Sequence, residues 1–148
     1  MVIPNVDQNG NLPPGEHAAT WQEFSQHYAT NTHRATFISG LRAALTALHS
    51  SGCQTAWIDG SFVTSKTQPN DIDIAWDDNT ADINQLKQLE PTLLDFTNRR
   101  AAQKHKFGCE CFPATWQADP NGLTFLEYFQ HDRNNKPKGI VRIDLSTL

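Results

Sequence analysis

Two short apolar runs, Thr55-Ala56-Trp57-Ile58-Asp59 and Asp71-Ile72-Asp73-Ile74-Ala75-Trp76, constrain this chain more than any other feature. Each is short and apolar enough to read as a buried strand. The link between them contains Ser65, Lys66, Thr67, Gln68, Pro69 and Asn70, all polar or turn-forming. Two strands so connected are expected to be neighbours in one sheet. The clearest helical pattern precedes them, from about Thr32 to Ser50. There Phe37, Ile38, Leu41, Leu45 and Leu48 recur at spacings of three and four and form one apolar stripe, and Gly52 is suited to end it.

Around this centre the remaining elements follow from local pattern. Pro4, Gly10, Pro13, Pro14 and Gly15 make residues 1–15 a flexible N-terminal arm. A short helix over about Ala19–Tyr28 follows, with Thr20 a possible cap. Ile83, Leu86 and Leu89 suggest another short helix, and Pro91 suits the first position of a helix over about 91–103. Phe107–Phe112 reads as a third strand, Leu123–Gln130 as a helix and Ile140–Leu145 as a closing strand. The expectation is an α+β (α/β) fold, a small mixed β-sheet of about four strands flanked by helices, forming a single domain over 16–148.

Length and charge narrow the possibilities. The 148 residues suit one domain, and no apolar run approaches the roughly 20 residues that cross a bilayer. Met1–Gly15 lacks the basic and apolar regions of a signal peptide, so a cytoplasmic protein without a membrane is expected. The net charge of -4 argues against a large phosphate-binding surface. The basic stretch 98–106 and the group Arg133, Lys136, Lys138 and Arg142 are read as solvated element ends. Three cysteines with no framework spacing fit a reducing compartment, and Cys109 and Cys111 read as buried packing rather than zinc ligands.

Asp71 and Asp73 stand two apart on an expected strand, which turns both carboxylates to one face and Ile72, Ile74 and Trp76 to the other. Adjacent like charges repel unless a cation lies between them. Hard divalent ions, Mg2+ or Mn2+, take such oxygen ligands together with phosphate oxygens. Gly60 permits close approach of backbone to a ligand, and Ser61 offers a hydroxyl and nearby N–H groups to phosphate. Asp59 is read as structural.

The run Ile58-Asp59-Gly60-Ser61-Phe62, a polar spacer, and Asp71-Ile72-Asp73-Ile74 together resemble the signature of the DNA polymerase beta-like nucleotidyltransferase superfamily. The whole chain, including Leu12-Pro13-Pro14-Gly15 and Lys138-Gly139-Ile140-Val141, is similar to short stand-alone bacterial proteins described as nucleotidyltransferase-like. The resemblance implies that Gly60 and Ser61 contact a triphosphate and that Asp71 and Asp73 bind Mg2+ or Mn2+. It also implies a third carboxylate from a later strand, for which Glu110 is the first candidate and Asp144 the second. Many such proteins have Arg-Gly soon after Gly-Ser; this chain has Phe62-Val63-Thr64, and Lys66 is the candidate replacement for the positive charge. The implied activity is transfer of a nucleoside monophosphate from an NTP to a protein, RNA or small-molecule acceptor, with a toxin–antitoxin or phage-defence module as the implied context. The alternative is a catalytically inactive binding protein with this fold: an antitoxin, an immunity protein or a complex subunit with a cognate protein partner.

Overall fold

The computed structural model describes residues 3–148; Met1 and Val2, the start of the expected arm, lie outside them. Five strands form one mixed sheet: β1 (Gly15–Ala19), β2 (Thr55–Asp59), β3 (Asp73–Trp76), β4 (Glu110–Pro113) and β5 (Gly139–Asp144). Their spatial order is β1-β5-β2-β3-β4. The central pairs β5/β2 and β2/β3 are antiparallel, whereas the outer pairs β1/β5 and β3/β4 are parallel.

The fifth strand is the main departure from expectation. Residues 15–19 read as loop running into helix, because a Gly start and two alanines carry little strand preference. Pairing supplies what propensity lacks: Gly15–Ala19 lies in register with Gly139–Ile143 of β5. The preceding segment is also packed, with Ile3 and Leu12 buried and the Leu12 carbonyl accepting from Gly139 N.

Helices cover one face of the sheet. Helix α1 (Trp21–Tyr28) opens with a capping box in which Thr20 and Glu23 bond each other's backbone N–H. Helix α2 (Thr32–Ser50) is capped by Asn31 and buries Leu41, Leu45 and Leu48 completely. Each such leucine contributes about 1.5–3 kcal/mol through removal from water. These side chains meet Ile58, Ile74, Val141 and Ile143 from the sheet in the main core. Helix α3 (Ile83–Leu89) and a 3-10 turn (Pro91–Leu94) follow β3.

The expected helix over 91–103 divides. Pro91 starts only the 3-10 turn, and helix α4 (Thr97–Phe107) takes over after it. Asn98, Arg99 and Arg100 adopt left-handed angles, so regular right-handed helix begins only after them. The opposite face of the sheet is covered in part, where Phe125 and Phe129 of the region around α5 (Phe125–Tyr128) pack on Phe112, Ala75 and Ile140.

Close approach of α2 to the end of α4 depends on Gly40. A Cβ there would come within 2.3 Å of the Phe107 carbonyl oxygen. Alanine normally gains about 1 kcal/mol over glycine inside a helix. Here the fixed backbone oxygen reverses that sign, and Gly40→Ala is expected to lower stability by about 1–3 kcal/mol in urea unfolding. An unchanged or raised stability would show that the two helices separate freely.

Candidate functional site

Strand register assembles the site. Asp59, the last residue of β2, pairs with Asp73, the first of β3, and Asp73 pairs with Glu110, the first of β4. Directly paired residues point to the same side of a sheet, so the three carboxylates form a row across three strands. The row lies on the face away from Ile58, Ile74 and Cys111, which enter the helix-covered core.

Each carboxylate meets the charge problem differently. Asp59 is buried and bonds Lys138 Nζ at 2.7 Å, from the residue that leads into β5. Burial raises its pKa and Lys138 opposes that rise. Glu110 is held by two cations of α4, Arg100 Nε at 2.8 Å and Lys104 Nζ at 3.2 Å. The Arg100 guanidinium also lies 4.6 Å from the centre of the Phe112 ring. Asp73 has no hydrogen-bond or ion-pair partner among the described residues. Burial, then the charges of Asp59, Asp71 and Glu110, push its pKa up to about 7, against the pull of Lys138.

Asp71 lies just before β3, in irregular backbone, so the expected strand begins two residues later than the apolar pattern suggested. Its carboxylate is tied to Ser61: the backbone N–H donates to Oδ2 at 3.2 Å and the hydroxyl donates to Oδ1. Gly60 makes the close approach possible. Its φ is +94°, and a Cβ would stand 2.8 Å from the Asp71 carbonyl oxygen and 2.9 Å from Oδ2. Gly60, Ser61, Asp71, Asp73 and Glu110 are therefore brought to one region.

Lys66 and Asp144 are not. Lys66 is exposed and lines a separate cleft with Tyr28, Asn31 and Arg34. The buried positive charge near Ser61 is Arg34, whose guanidinium donates to the carbonyls of Phe62 at 2.7 Å, Thr64 at 2.9 Å and Lys66. Asn31 and His33 donate to the carbonyls of Thr67 and Pro69. One turn of α2 thus fixes most of the link between β2 and β3. Asp144 pairs with Thr55 at the other end of β2 and accepts from Ser146 N and Oγ, capping the final turn. The preference for Glu110 over Asp144 as the carboxylate neighbouring Asp73 agrees with the register.

A cleft of about 430 Å³ opens beside Asp59 and Asp73. Its lining also includes Tyr128, His131, Arg133 and Lys138. It therefore combines carboxylates, cations and an aromatic ring, the mixture that a phosphorylated ligand and a metal ion would require. The sequence reading took Asp59 as structural and Lys138 as solvated, and it did not single out Arg34. Counting back across the β2/β3 hairpin would have found Asp59, since the end of one strand opposes the start of the next. Lys138 and Arg34 act from segments distant in sequence, and no local signal marks them. The basic stretch 98–106 is largely used internally, because Arg100 and Lys104 serve Glu110 and Lys106 pairs with Glu90 at 2.8 Å.

Among the described residues, no three His, Cys, Asp or Glu side chains are gathered as a closed metal cage. The donor set is instead an open one, Asp71 and Asp73, which fits an ion that completes its shell with water or phosphate oxygens.

The state of Asp73 has a measurable consequence. A carboxyl whose pKa is raised in the folded protein is protonated there while already ionised in the unfolded chain. Stability must then fall as pH rises from about 4 to about 7. Asp73→Asn removes that loss. The variant is expected to exceed the parent by about 1–3 kcal/mol at about pH 8 without divalent ions, and to match it near pH 4, in denaturant titrations. Equal stability of the two across this range would mean that Asp73 has an ordinary carboxyl.

Residues 4–144 match the model of a family of unknown function, DUF6932. No curated protein and no solved structure matches the chain. The matched span contains Gly60, Ser61 and all four acidic residues of the site, and the chain belongs to the DUF6932 family.

Proposed function

We propose that the protein is a metal-dependent nucleotidyltransferase that moves a nucleoside monophosphate from an NTP to a protein, RNA or small-molecule acceptor. The single observation that carries this reading is Asp73, a half-buried carboxylate that feels the charges of Asp59, Asp71 and Glu110 and has no cation bonded to it. Asp71, pinned by Ser61 and close enough for its charge to act on Asp73, supplies a second oxygen ligand. A bound Mg2+ or Mn2+ would neutralise this pair and draw the phosphate oxygens of the substrate to it.

The chain's own residues have distinct parts in this reading. Ser61 and the positive-φ backbone at Gly60 hold Asp71 in place and keep its surroundings free of side-chain bulk. Lys138 holds Asp59, which keeps a further negative charge from adding fully to those around Asp73. Arg133 and His131 line the same cleft and face the charge of a polyphosphate. An acceptor oxygen attacks the α-phosphorus, the bond from that phosphorus to the bridging oxygen breaks, and pyrophosphate leaves. One of these carboxylates takes the acceptor's proton as the new bond forms. The toxin–antitoxin or phage-defence context rests on the resemblance alone. Among the described residues no helix is long and apolar enough to cross a membrane, and three buried free thiols suit the cytoplasm.

One observation favours a second reading, a catalytically inactive binding protein of this fold. Glu110, which the resemblance implies as the third metal carboxylate, is engaged by Arg100 and Lys104. A site so neutralised on one side holds a metal less readily.

Incubation of the full chain with Mg2+ and each labelled NTP, alone and with cell extract, separates the two. Transfer of label to an acceptor, reduced at least about a hundredfold in Asp71→Asn/Asp73→Asn, is the expected outcome. No label from any NTP, together with no calorimetric binding of Mg2+ or NTP, would leave the binding protein.

A further inference from the structure

Lys138 differs from the other cations beside the acidic cleft. Arg133 is exposed on the turn before β5, whereas the Lys138 side chain is only 19% exposed and its ammonium bonds Asp59 Oδ1 at 2.7 Å. The backbone around it is fixed. Lys138 N–H donates to the Gln130 carbonyl at 2.9 Å, and the next residue, Gly139, donates to the Leu12 carbonyl. Gly139 has no room for a side chain, since a Cβ would stand 2.0 Å from the Pro13 carbonyl oxygen. A lysine is usually a mobile charge on a flexible stem. This one is held as a fixed charge, and it lines the same cleft as Asp73.

Charge decides how many metal ions can join it. Asp59, Asp71, Asp73 and Glu110 bring four negative charges when ionised, and Lys138, Arg100 and Lys104 offset three of them. One net negative charge remains, and a single divalent ion turns the group positive. A second ion would enter against that charge and would find Asp59 and Glu110 already bonded to cations. Phosphoryl-transfer sites often clamp the attacking and leaving oxygens between two ions. Here Asp71 and Asp73 are the carboxylates left for one ion, and the positive charge on Asp59 is an ammonium.

We propose that Lys138 takes the place of a second divalent ion: one Mg2+ or Mn2+ binds at Asp71 and Asp73, and the Lys138 ammonium, seated on Asp59, meets the phosphate oxygens of the ligand. An ammonium has three N–H donors, so one bonded to Asp59 can also donate to phosphate. The inference rests on the metal site of the proposed function, not on nucleotide transfer itself.

Counting bound Mn2+ from the electron paramagnetic resonance signal of the free ion tests this in the full chain without nucleotide. The parent is expected to hold about one ion per chain in the submillimolar range. Lys138→Gln removes the charge, keeps a donor for Asp59 and should hold about two. Lys138→Arg keeps the charge and should match the parent. Asp59→Asn/Lys138→Gln should return to the parent count, because the second ion then loses its carboxylate. The parent count needs no variant, and thermal unfolding establishes that each variant compared with it is folded. No ion or two ions in the parent, no gain in folded Lys138→Gln, or a gain that persists in the double variant would each overturn the inference. A chain with the expected counts that labels no acceptor keeps Lys138 as the second cation and loses the transferase. Label transfer by a parent that holds two ions does the reverse.

Discussion

Register between three neighbouring strands sets Asp59, Asp73 and Glu110 side by side, at the spacing of adjacent strands in a sheet, roughly 5 Å. At that distance three like charges cannot all remain ionised without compensation. Much of the surrounding structure answers this one constraint. Lys138 reaches Asp59 from the approach to β5, while Arg100 and Lys104 reach Glu110 from α4. Only the middle carboxylate is left without a partner, and the acidic cleft opens beside it.

The arrangement also explains the irregular start of α4. Asn98, Arg99 and Arg100 occupy the left-handed region, which costs an ordinary residue roughly 1–2 kcal/mol. Arg100 at the end of this turn is the residue that bonds Glu110 and lies over Phe112. On the other side of the row, α2 reaches across with Asn31, His33 and Arg34 to hold the link that carries Ser61 to Asp71. Both flanks of the row are thus backed by helix-borne cations and hydrogen bonds rather than by loose loop.

Elements with strong local patterns were legible in the chain. The stripe of α2 and the strand β2 emerge at their expected bounds, since spacing and punctuation agree there. Strand β1 was hidden because its pairing with β5 outweighs a weak local preference. The 91–103 region was misread as one helix because Pro91 is equally suited to start a 3-10 turn. At the site, the proximity of Asp73 to Glu110 followed from the order of strands. The tie between Asp71 and Ser61, the buried role of Arg34 and the position of Lys138 arise from tertiary packing, to which single-sequence periodicity is blind.

The central claim, that Asp73 is an uncompensated carboxylate awaiting a cation, reduces to its titration. Carbon-13 NMR of the Asp73 carboxyl, with and without Mg2+, measures it in the intact chain. A midpoint near 7 without the ion, falling well below 5 when Mg2+ is added, is the predicted result. A midpoint near 4 that ignores Mg2+ would contradict both the unpaired charge and the metal site built on it.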